Sequence, residues 1–79
     1  MTAEPHLVLD CRGMRCPLPV IELGRHVTEV PAGGVIAVLA DDPAAAIDVP
    51  AWCRLRGQEY LGPGEPVDQV PAYLVRRIS

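Results

Sequence analysis

The sequence predicts an α/β (α+β) two-layer sandwich, in which a four-stranded mixed sheet carries two helices on one face. Apolar runs of strand length alternate with helically spaced segments in the order β-α-β-α-β-β. Strand–helix–strand connections imply at least one parallel pair of strands joined by a right-handed crossover. With only two helices, the simplest arrangement places both on the same side of the sheet.

The first half of the chain predicts one strand and one helix. The strand is the short apolar run His6–Asp10, and the helix extends from Pro17 to about Val30. Apolar residues recur in this helix at intervals of three and four and form one core-facing stripe, namely Val20, Leu23, Val27 and Val30. Leu18 and Ile21 depart from the stripe and are expected to project from the polar side of the first turn.

The second half predicts a buried strand, an interrupted helix and two further strands. Val35–Ala40 is apolar throughout, which is typical of a central strand. Asp42 and Pro43 predict a helix start, as N-cap and first helical residue. Pro50 is expected to interrupt that helix, since proline cannot donate an internal hydrogen bond. The remaining predicted segments are the second helical piece Pro50–Arg56, ending at Gly57, the strand Gln58–Leu61, the loop Gly62–Pro66 and the strand Ala72–Ile78.

Composition predicts a single globular domain, residues 1–79, because 49% of the residues are hydrophobic. All seven basic residues are arginine, and the absence of lysine excludes Schiff-base chemistry by a lysine amine. The net charge of −3 argues against a direct nucleic-acid partner.

The cellular compartment is predicted from the first residues, the apolar stretches and the number of cysteines. The first residues lack the apolar region of a signal peptide, and no apolar stretch is long enough to span a bilayer. We therefore expect a cytoplasmic protein with no membrane contact. Three cysteines, an odd number, favour a reactive thiol over a disulfide framework in such a compartment.

The segment Asp10–Pro19 carries the chemistry. Pro17 is predicted to be the first helical residue, which makes Cys16 the N-cap. Free backbone N–H groups and the helix dipole favour an anion there, and a thiolate is such an anion. Arg12 and Arg15 lie within four residues of this sulfur and are expected to lower its pKa further.

Two sequence blocks resemble the TusA (SirA-like) family of small sulfur-carrier proteins. The first is Cys16-Pro17-Leu18-Pro19, preceded by Leu9-Asp10-Cys11-Arg12-Gly13-Met14-Arg15. The second is Ala40-Asp41-Asp42-Pro43-Ala44 together with Asp48-Val49-Pro50-Ala51-Trp52-Cys53. The resemblance covers residues 6–78, and both blocks at this spacing in so short a chain are specific.

The resemblance implies a sulfurtransferase that acts as a protein sulfur relay. Cys16 is then the catalytic residue and carries sulfane sulfur as a covalent persulfide, without a cofactor or a metal ion. The implied donor is a cysteine desulfurase or a rhodanese-type protein. The implied acceptor is a protein serving tRNA 2-thiolation, molybdenum-cofactor synthesis or sulfur metabolism. A carrier that exchanges partners is expected to be a monomer. The supporting residues expected around Cys16 are Asp10, Arg12, Arg15, Pro17 and Pro19.

An apolar rim for partner docking is predicted beside Cys16. Leu18 and Ile21, with Met14, would surround the sulfur, and exposed apolar groups often mark interaction surfaces. The alternative for Ile21 is that it packs against a neighbouring loop.

Several residues keep two interpretations. Cys11 is either a resolving thiol of a dithiol redox protein or a half-buried residue at the end of the first strand. A non-catalytic regulatory binding module is the third possible function of the protein, after the sulfur carrier and the dithiol redox protein.

Cys53 is expected to be buried. Asp10 is expected to orient the loop, an arginine or nearby backbone N–H groups. Asp41 and Asp42 resemble paired carboxylates, but a helix cap explains Asp42.

Overall fold

A mixed sheet of four strands forms one layer of the protein, and two helices form the other. The computed structural model describes residues 5–79. Its elements are β1 Leu7–Asp10, α1 Leu18–His26, a 3₁₀ turn Val27–Glu29, β2 Val35–Leu39, α2 Ala45–Arg56, β3 Glu59–Pro63 and β4 Ala72–Arg76. The strand order is β1-β2-β4-β3, with β1 parallel to β2 and the other two pairs antiparallel. The predicted fold class and the predicted order of elements are confirmed.

The core lies between the sheet and the helices. Ile36, Val38 and Val75 face it from the central strands β2 and β4, and Leu23 and Val49 face it from α1 and α2. All five side chains are fully buried. The helical stripe of the first helix is therefore confirmed as its core-facing side.

Both helices differ from the prediction in their length. The first was expected to reach Val30, but its α-helical part ends at His26 and the 3₁₀ turn follows. Val30 is extended because it precedes Pro31, and a proline disfavours helical dihedrals in the residue before it. The second helix continues through Pro50 without interruption, so the predicted break was wrong. The helical hydrogen bond that Pro50 cannot donate would end on Ala46, which is exposed, so water can satisfy that carbonyl.

The second helix also begins later than predicted. It starts at Ala45, with Ala44 at the N-cap, so the assignment of Asp42 and Pro43 to its first positions was wrong. A tight turn comes first, in which the Ala45 N–H donates to the carbonyl of Asp42 at 3.0 Å. The side chain of Asp42 still serves this turn, since its Oδ1 accepts the N–H of Ala44 at 3.0 Å.

Strand bounds shift by one to two residues. The predicted loop at Gly62 belongs to β3 as far as Pro63, because a bulge after Tyr60 lets the ladder continue. Gly62 has φ +109°, which few other residues adopt. At the other end, β4 stops at Arg76, and the guanidinium of Arg77 donates to the carbonyl of Val30 at 2.6 Å.

The topology fixes where the two conspicuous sequence blocks meet. Because β1 and β2 are parallel neighbours, their carboxyl ends lie at the same edge of the sheet. The loop after β1 leads to α1, and the loop after β2 leads to α2. Both loops therefore lie side by side at that edge. No helix within residues 5–79 has the length and hydrophobicity needed to cross a membrane.

We expect Leu23→Ala to lower the free energy of unfolding by about 3 kcal/mol, because the substitution leaves a cavity at a fully buried position. The matched control is Leu55→Ala in α2, where the side chain is 85% exposed. This control is expected to change stability by no more than about 0.5 kcal/mol. Urea unfolding followed by circular dichroism measures both, and equal losses in the two variants would contradict this placement of the core.

Candidate functional site

The loop between β1 and α1 presents Cys16 at the surface. Cys16 is exposed, whereas Cys11 and Cys53 are each only 1% exposed. The N–H of Met14 donates to the carbonyl of Cys11 at 3.2 Å, and the N–H of Leu18 donates to the carbonyl of Arg15 at 2.8 Å. These two turns bring the chain out from β1 and back into α1 with the thiol between them.

Cys16 does not cap the helix. The α-helix begins at Leu18, and Pro17 occupies the N-cap with φ −100° and ψ 19°, so both predicted positions were wrong by one residue. The second turn of the loop explains the delay, since Cys16 and Pro17 lie inside it. Pro19 takes the second helical position, where its missing N–H leaves no helical bond unmade. The Cys16–Pro17 peptide bond is cis.

Two consecutive aspartates from the loop before α2 bind the backbone of the cysteine loop. Asp42 accepts the N–H of Cys16 through its Oδ2 at 3.0 Å. Asp41 accepts the N–H of Gly13 through both of its oxygens, each at 3.1 Å. Hydrogen bonds with a charged acceptor are the stronger ones, so these contacts fasten the two loops to each other.

The surroundings of the thiol are acidic, which is the opposite of the expectation. The carboxylate of Asp48, followed by desolvation and the negative charge of Asp42, raises the pKa of Cys16. The predicted lowering of its pKa was therefore wrong. The direction of this shift favours the protonated thiol over the thiolate.

Neither arginine of the cysteine loop supplies the positive charge that was expected to lower the pKa of Cys16. Arg12 forms a two-pronged pair with Asp10, with Nε and Nη2 at 2.8 and 2.7 Å from the two carboxylate oxygens. Its Nη1 also lies 3.5 Å from Asp68. This pairing lowers the pKa of Asp10 to about 2. Asp10 also accepts the N–H of Arg12 at 3.2 Å, so it both orients an arginine and satisfies the backbone.

Arg15 directly precedes Cys16 in the same loop. Its positive charge helps to lower the pKa of Asp42, after the larger effects of the N–H groups of Ala44 and Cys16. A cleft of about 500 Å³ lies between the two loops. It is lined by Gly13, Met14, Arg15, Asp41, Asp42 and Pro43.

The other two cysteines are unsuited to exchange. Burial, followed by the charges of Glu22 and Asp10, raises the pKa of Cys11. Burial raises the pKa of Cys53 to about 11. Both thiols belong to the hydrophobic core, which agrees with the structural interpretation of each. Within residues 5–79, no three side chains of His, Cys, Asp or Glu are grouped so as to hold a metal ion.

The two residues of the predicted apolar rim that lie in α1 are exposed. Leu18 and Ile21 are 48% and 47% exposed, so neither is packed away against a loop. Met14 is different, since it is half-buried and packs against the core.

Sequence reasoning missed two residues that bind the cysteine loop, Asp41 and Asp42, and one that raises the pKa of its thiol, Asp48. Asp41 and Asp42 were noted only as a resemblance to paired carboxylates, with Asp42 explained as a helix cap, and Asp48 was not considered for the site. Their signal was present in the second sequence block, which follows the strand parallel to β1. Ligand-binding crevices form at the carboxyl ends of parallel strands, so this pairing predicts the meeting of the two blocks.

The fold and the site define a small α+β protein that presents one accessible thiol on a Cys-Pro-x-Pro loop. A profile of the family described as Sulfurtransferase TusA matches residues 7–77. The chain therefore belongs to the TusA family, and the predicted family membership is confirmed.

Relatives and a solved structure agree with this membership. The chain is similar to the sulfur carrier protein TusA of Pseudomonas entomophila (strain L48), with 47% identity over 57 residues, which are 72% of this chain and 71% of that protein. The same protein of Pseudomonas putida (strain GB-1) is 44% identical over the same shares. The crystal structure of a SirA-like protein from Desulfitobacterium hafniense superposes with a TM-score of 0.75 at 24% identity, and the match covers 92% of this chain and 99% of that one.

We expect Asp48→Asn to lower the pKa of the Cys16 thiol, because an amide of the same shape carries no negative charge. Alkylation of Cys16 by iodoacetamide, followed by intact mass across pH, should then reach its half-maximal rate at a lower pH. Cys11 and Cys53 are buried and are not expected to react in the folded protein.

The matched control for this substitution is Glu65→Gln. Glu65 borders a groove on the side of the sheet away from the helices, so its loss should leave the profile of Cys16 unchanged. A profile that also stays unchanged in Asp48→Asn would show that Asp48 does not act on the thiol.

Proposed function

We propose that this protein is a sulfur relay, in which Cys16 accepts sulfane sulfur as a persulfide and passes it to an acceptor protein. The observation that carries the proposal is the accessibility of the thiols: Cys16 is exposed, whereas Cys11 and Cys53 are buried in the core. Family membership supports the same role, since the relatives are named sulfur carriers.

The proposed step exchanges one sulfur–sulfur bond for another. The sulfur of Cys16 attacks the outer sulfur of a donor persulfide, the bond between the two donor sulfurs breaks, and a new bond forms on Cys16. The donor leaves as a thiolate and takes up the proton that the Cys16 thiol gives up. The products are a Cys16 persulfide and a donor thiol, so no external oxidant or reductant is needed.

We propose that Asp48 handles that proton. Its carboxylate raises the pKa of the Cys16 thiol, and such a carboxylate can hold the proton while the donor thiolate departs. The acidic surroundings would then have a use in the exchange, although they disfavour the thiolate.

The proposed partners are proteins. A cysteine desulfurase or a rhodanese-type protein would donate the sulfur, and the acceptor would serve tRNA 2-thiolation, molybdenum-cofactor synthesis or sulfur metabolism in the cytoplasm. Leu18 and Ile21 are proposed as the docking surface, because both are exposed on the first turn after Cys16. Arg15 is the arginine that we propose to contact partners, since Arg12 is already paired with Asp10 and Asp68.

The dithiol redox alternative is disfavoured by the position of Cys11. A resolving thiol must reach its partner sulfur, whereas Cys11 packs in the core with a raised pKa.

We expect incubation with a cysteine desulfurase and cysteine to add the mass of one sulfur atom to the protein, and Cys16→Ser to abolish the addition. Cys11→Ala and Cys53→Ala are the controls and should retain it, because their thiols are buried. Intact-protein mass spectrometry under non-reducing conditions measures all four. Sulfur uptake by Cys16→Ser would refute the assignment, and a Cys11–Cys16 disulfide formed readily in mild oxidant would favour the redox alternative.

We expect Leu18→Glu to slow sulfur transfer from donor to acceptor by about tenfold, since a charge in an apolar docking surface must be desolvated on binding. Leu55→Glu is the matched control, because Leu55 is also exposed but lies in the last turn of α2. Single-turnover transfer between purified proteins measures both, alongside thermal unfolding. Equal rates in the two variants would eliminate Leu18 from the docking surface.

A further inference from the structure

The face of the sheet away from the helices carries an apolar groove. Side chains alternate between the two faces along a strand, and a face that meets water normally carries polar ones. Here the centre of that face is apolar on both middle strands, where it consists of Ala37, Leu39, Ala72 and Leu74. These residues form the floor of a half-open groove of about 640 Å³, which lies between β1 and the loop that joins β3 to β4.

The walls of the groove are partly exposed and fixed in shape. Val8 on β1 is 51% exposed, and Val67 on the loop is 43% exposed. Val67 and Val70 exchange two backbone hydrogen bonds at 3.0 and 2.8 Å, which brace the loop. Pro63 and Pro66 stiffen it further, because the proline ring holds φ at about −65°. A preformed apolar groove of this size is typical of a binding site, and its half-open shape suits a segment of a larger molecule.

The rim of the groove is negatively charged. Glu65 lines the groove, is exposed, and has no ion-pair partner among residues 5–79. Further along the same loop, Asp68 shares the guanidinium of Arg12 with Asp10, so these three residues keep one net negative charge. An apolar groove with such a rim is complementary to an aliphatic side chain that has a cationic neighbour.

The basic groups of this chain are not suited to that role. Arg76, which β4 turns to the same face, is paired with Glu59 at 3.1 Å. Arg77 is held by the carbonyl of Val30 at 2.6 Å. A second copy of the chain has the same acidic rim and the same net charge of −3, so two copies repel each other. The charge therefore favours a different protein as the occupant of the groove.

We propose that the groove docks a partner protein through a short segment in which an aliphatic side chain lies beside an arginine or lysine. The aliphatic side chain packs over Ala37 and Leu74, and its cationic neighbour pairs with Glu65. The helix α1, with Leu18 and Ile21, lies on the opposite face of the sheet, so a partner in the groove leaves that surface free. This docking does not depend on the function proposed above.

The probe that tests the proposal is a random heptapeptide library displayed on phage and selected on the folded protein. Selected peptides should share an aliphatic residue within two positions of an arginine or lysine. A synthetic copy of such a peptide should shift the amide NMR signals of Ala37 and Leu74 and leave those of Leu18 and Ile21 unchanged. Selection of no peptide, of peptides without this pattern, or of peptides that shift the signals of α1 would each overturn the proposal.

Two substitutions on the exposed rim test the contacts of the selected peptide. Glu65→Gln should weaken its binding by about threefold, the value of an exposed ion pair, and Val8→Ser by about fivefold through lost apolar contact. Glu29→Gln and Ile47→Ser are the matched controls on the helical layer and should leave binding unchanged. All four positions are exposed, so the variants are expected to fold, which circular dichroism checks. Equal affinities in the rim variants and the controls would refute the contacts.

A second copy of the chain is the competing occupant. Amide signals of Ala37 and Leu74 that shift with protein concentration in the absence of peptide would assign the groove to a contact between copies and overturn the proposal. Signals that do not depend on concentration would support it. If the protein takes up no sulfur from a desulfurase, the function proposed above fails, but peptide binding still decides the role of the groove.

Discussion

The contact between the two loops at the carboxyl edge of β1 and β2 determines the properties of the site. Parallel pairing of these strands brings the loops together, and the carboxylates of Asp41 and Asp42 then bind N–H groups that would otherwise be left without a protein acceptor. The same contact that satisfies the backbone surrounds the thiol with negative charge. Asp42 therefore contributes both to the backbone geometry of Cys16 and to its electrostatics, and Asp48 adds to the electrostatics from the first turn of α2.

A raised thiol pKa has two opposing effects on sulfur exchange. It lowers the fraction of thiolate, which slows attack on a donor, but each thiolate is then more nucleophilic. In the reverse direction Cys16 is the leaving group, and a thiol of high pKa leaves slowly. In the sulfur relay proposed above, a persulfide on such a cysteine would be lost slowly to stray thiols and would need a well-placed acceptor. This balance suits a carrier better than an enzyme that turns over rapidly, because a carrier must keep its sulfur between encounters.

Most of the fold could be predicted from the sequence, and the site only in part. The core stripe of α1 and the apolar strand β2 follow from residue patterns, because burial imposes the period of the element that is buried. The continuous helix through Pro50 could not be predicted, since proline removes one helical hydrogen bond but the other bonds of the helix still form. Cys16 was recognised from its motif, but its pKa was predicted with the wrong sign. Arg12 and Arg15 are close in sequence, whereas Asp42 and Asp48 are close only in space, and the tertiary contact outweighs the local one.

The distance in sequence between Asp42 and Cys16 explains why Asp42 was assigned to a helix cap and not to the site. The sequence shows that Asp42 precedes a helix, and the turn before α2 accounts for one of its oxygens, which accepts the N–H of Ala44. Nothing local reveals that the second oxygen is available, because its donor, the N–H of Cys16, lies 26 positions away in the chain. An aspartate has two acceptor oxygens and a turn of this kind uses one of them, so the other is free to bind a second segment. In this protein the second segment is the loop after the neighbouring parallel strand, so the turn before α2 and the cysteine loop have to be considered together.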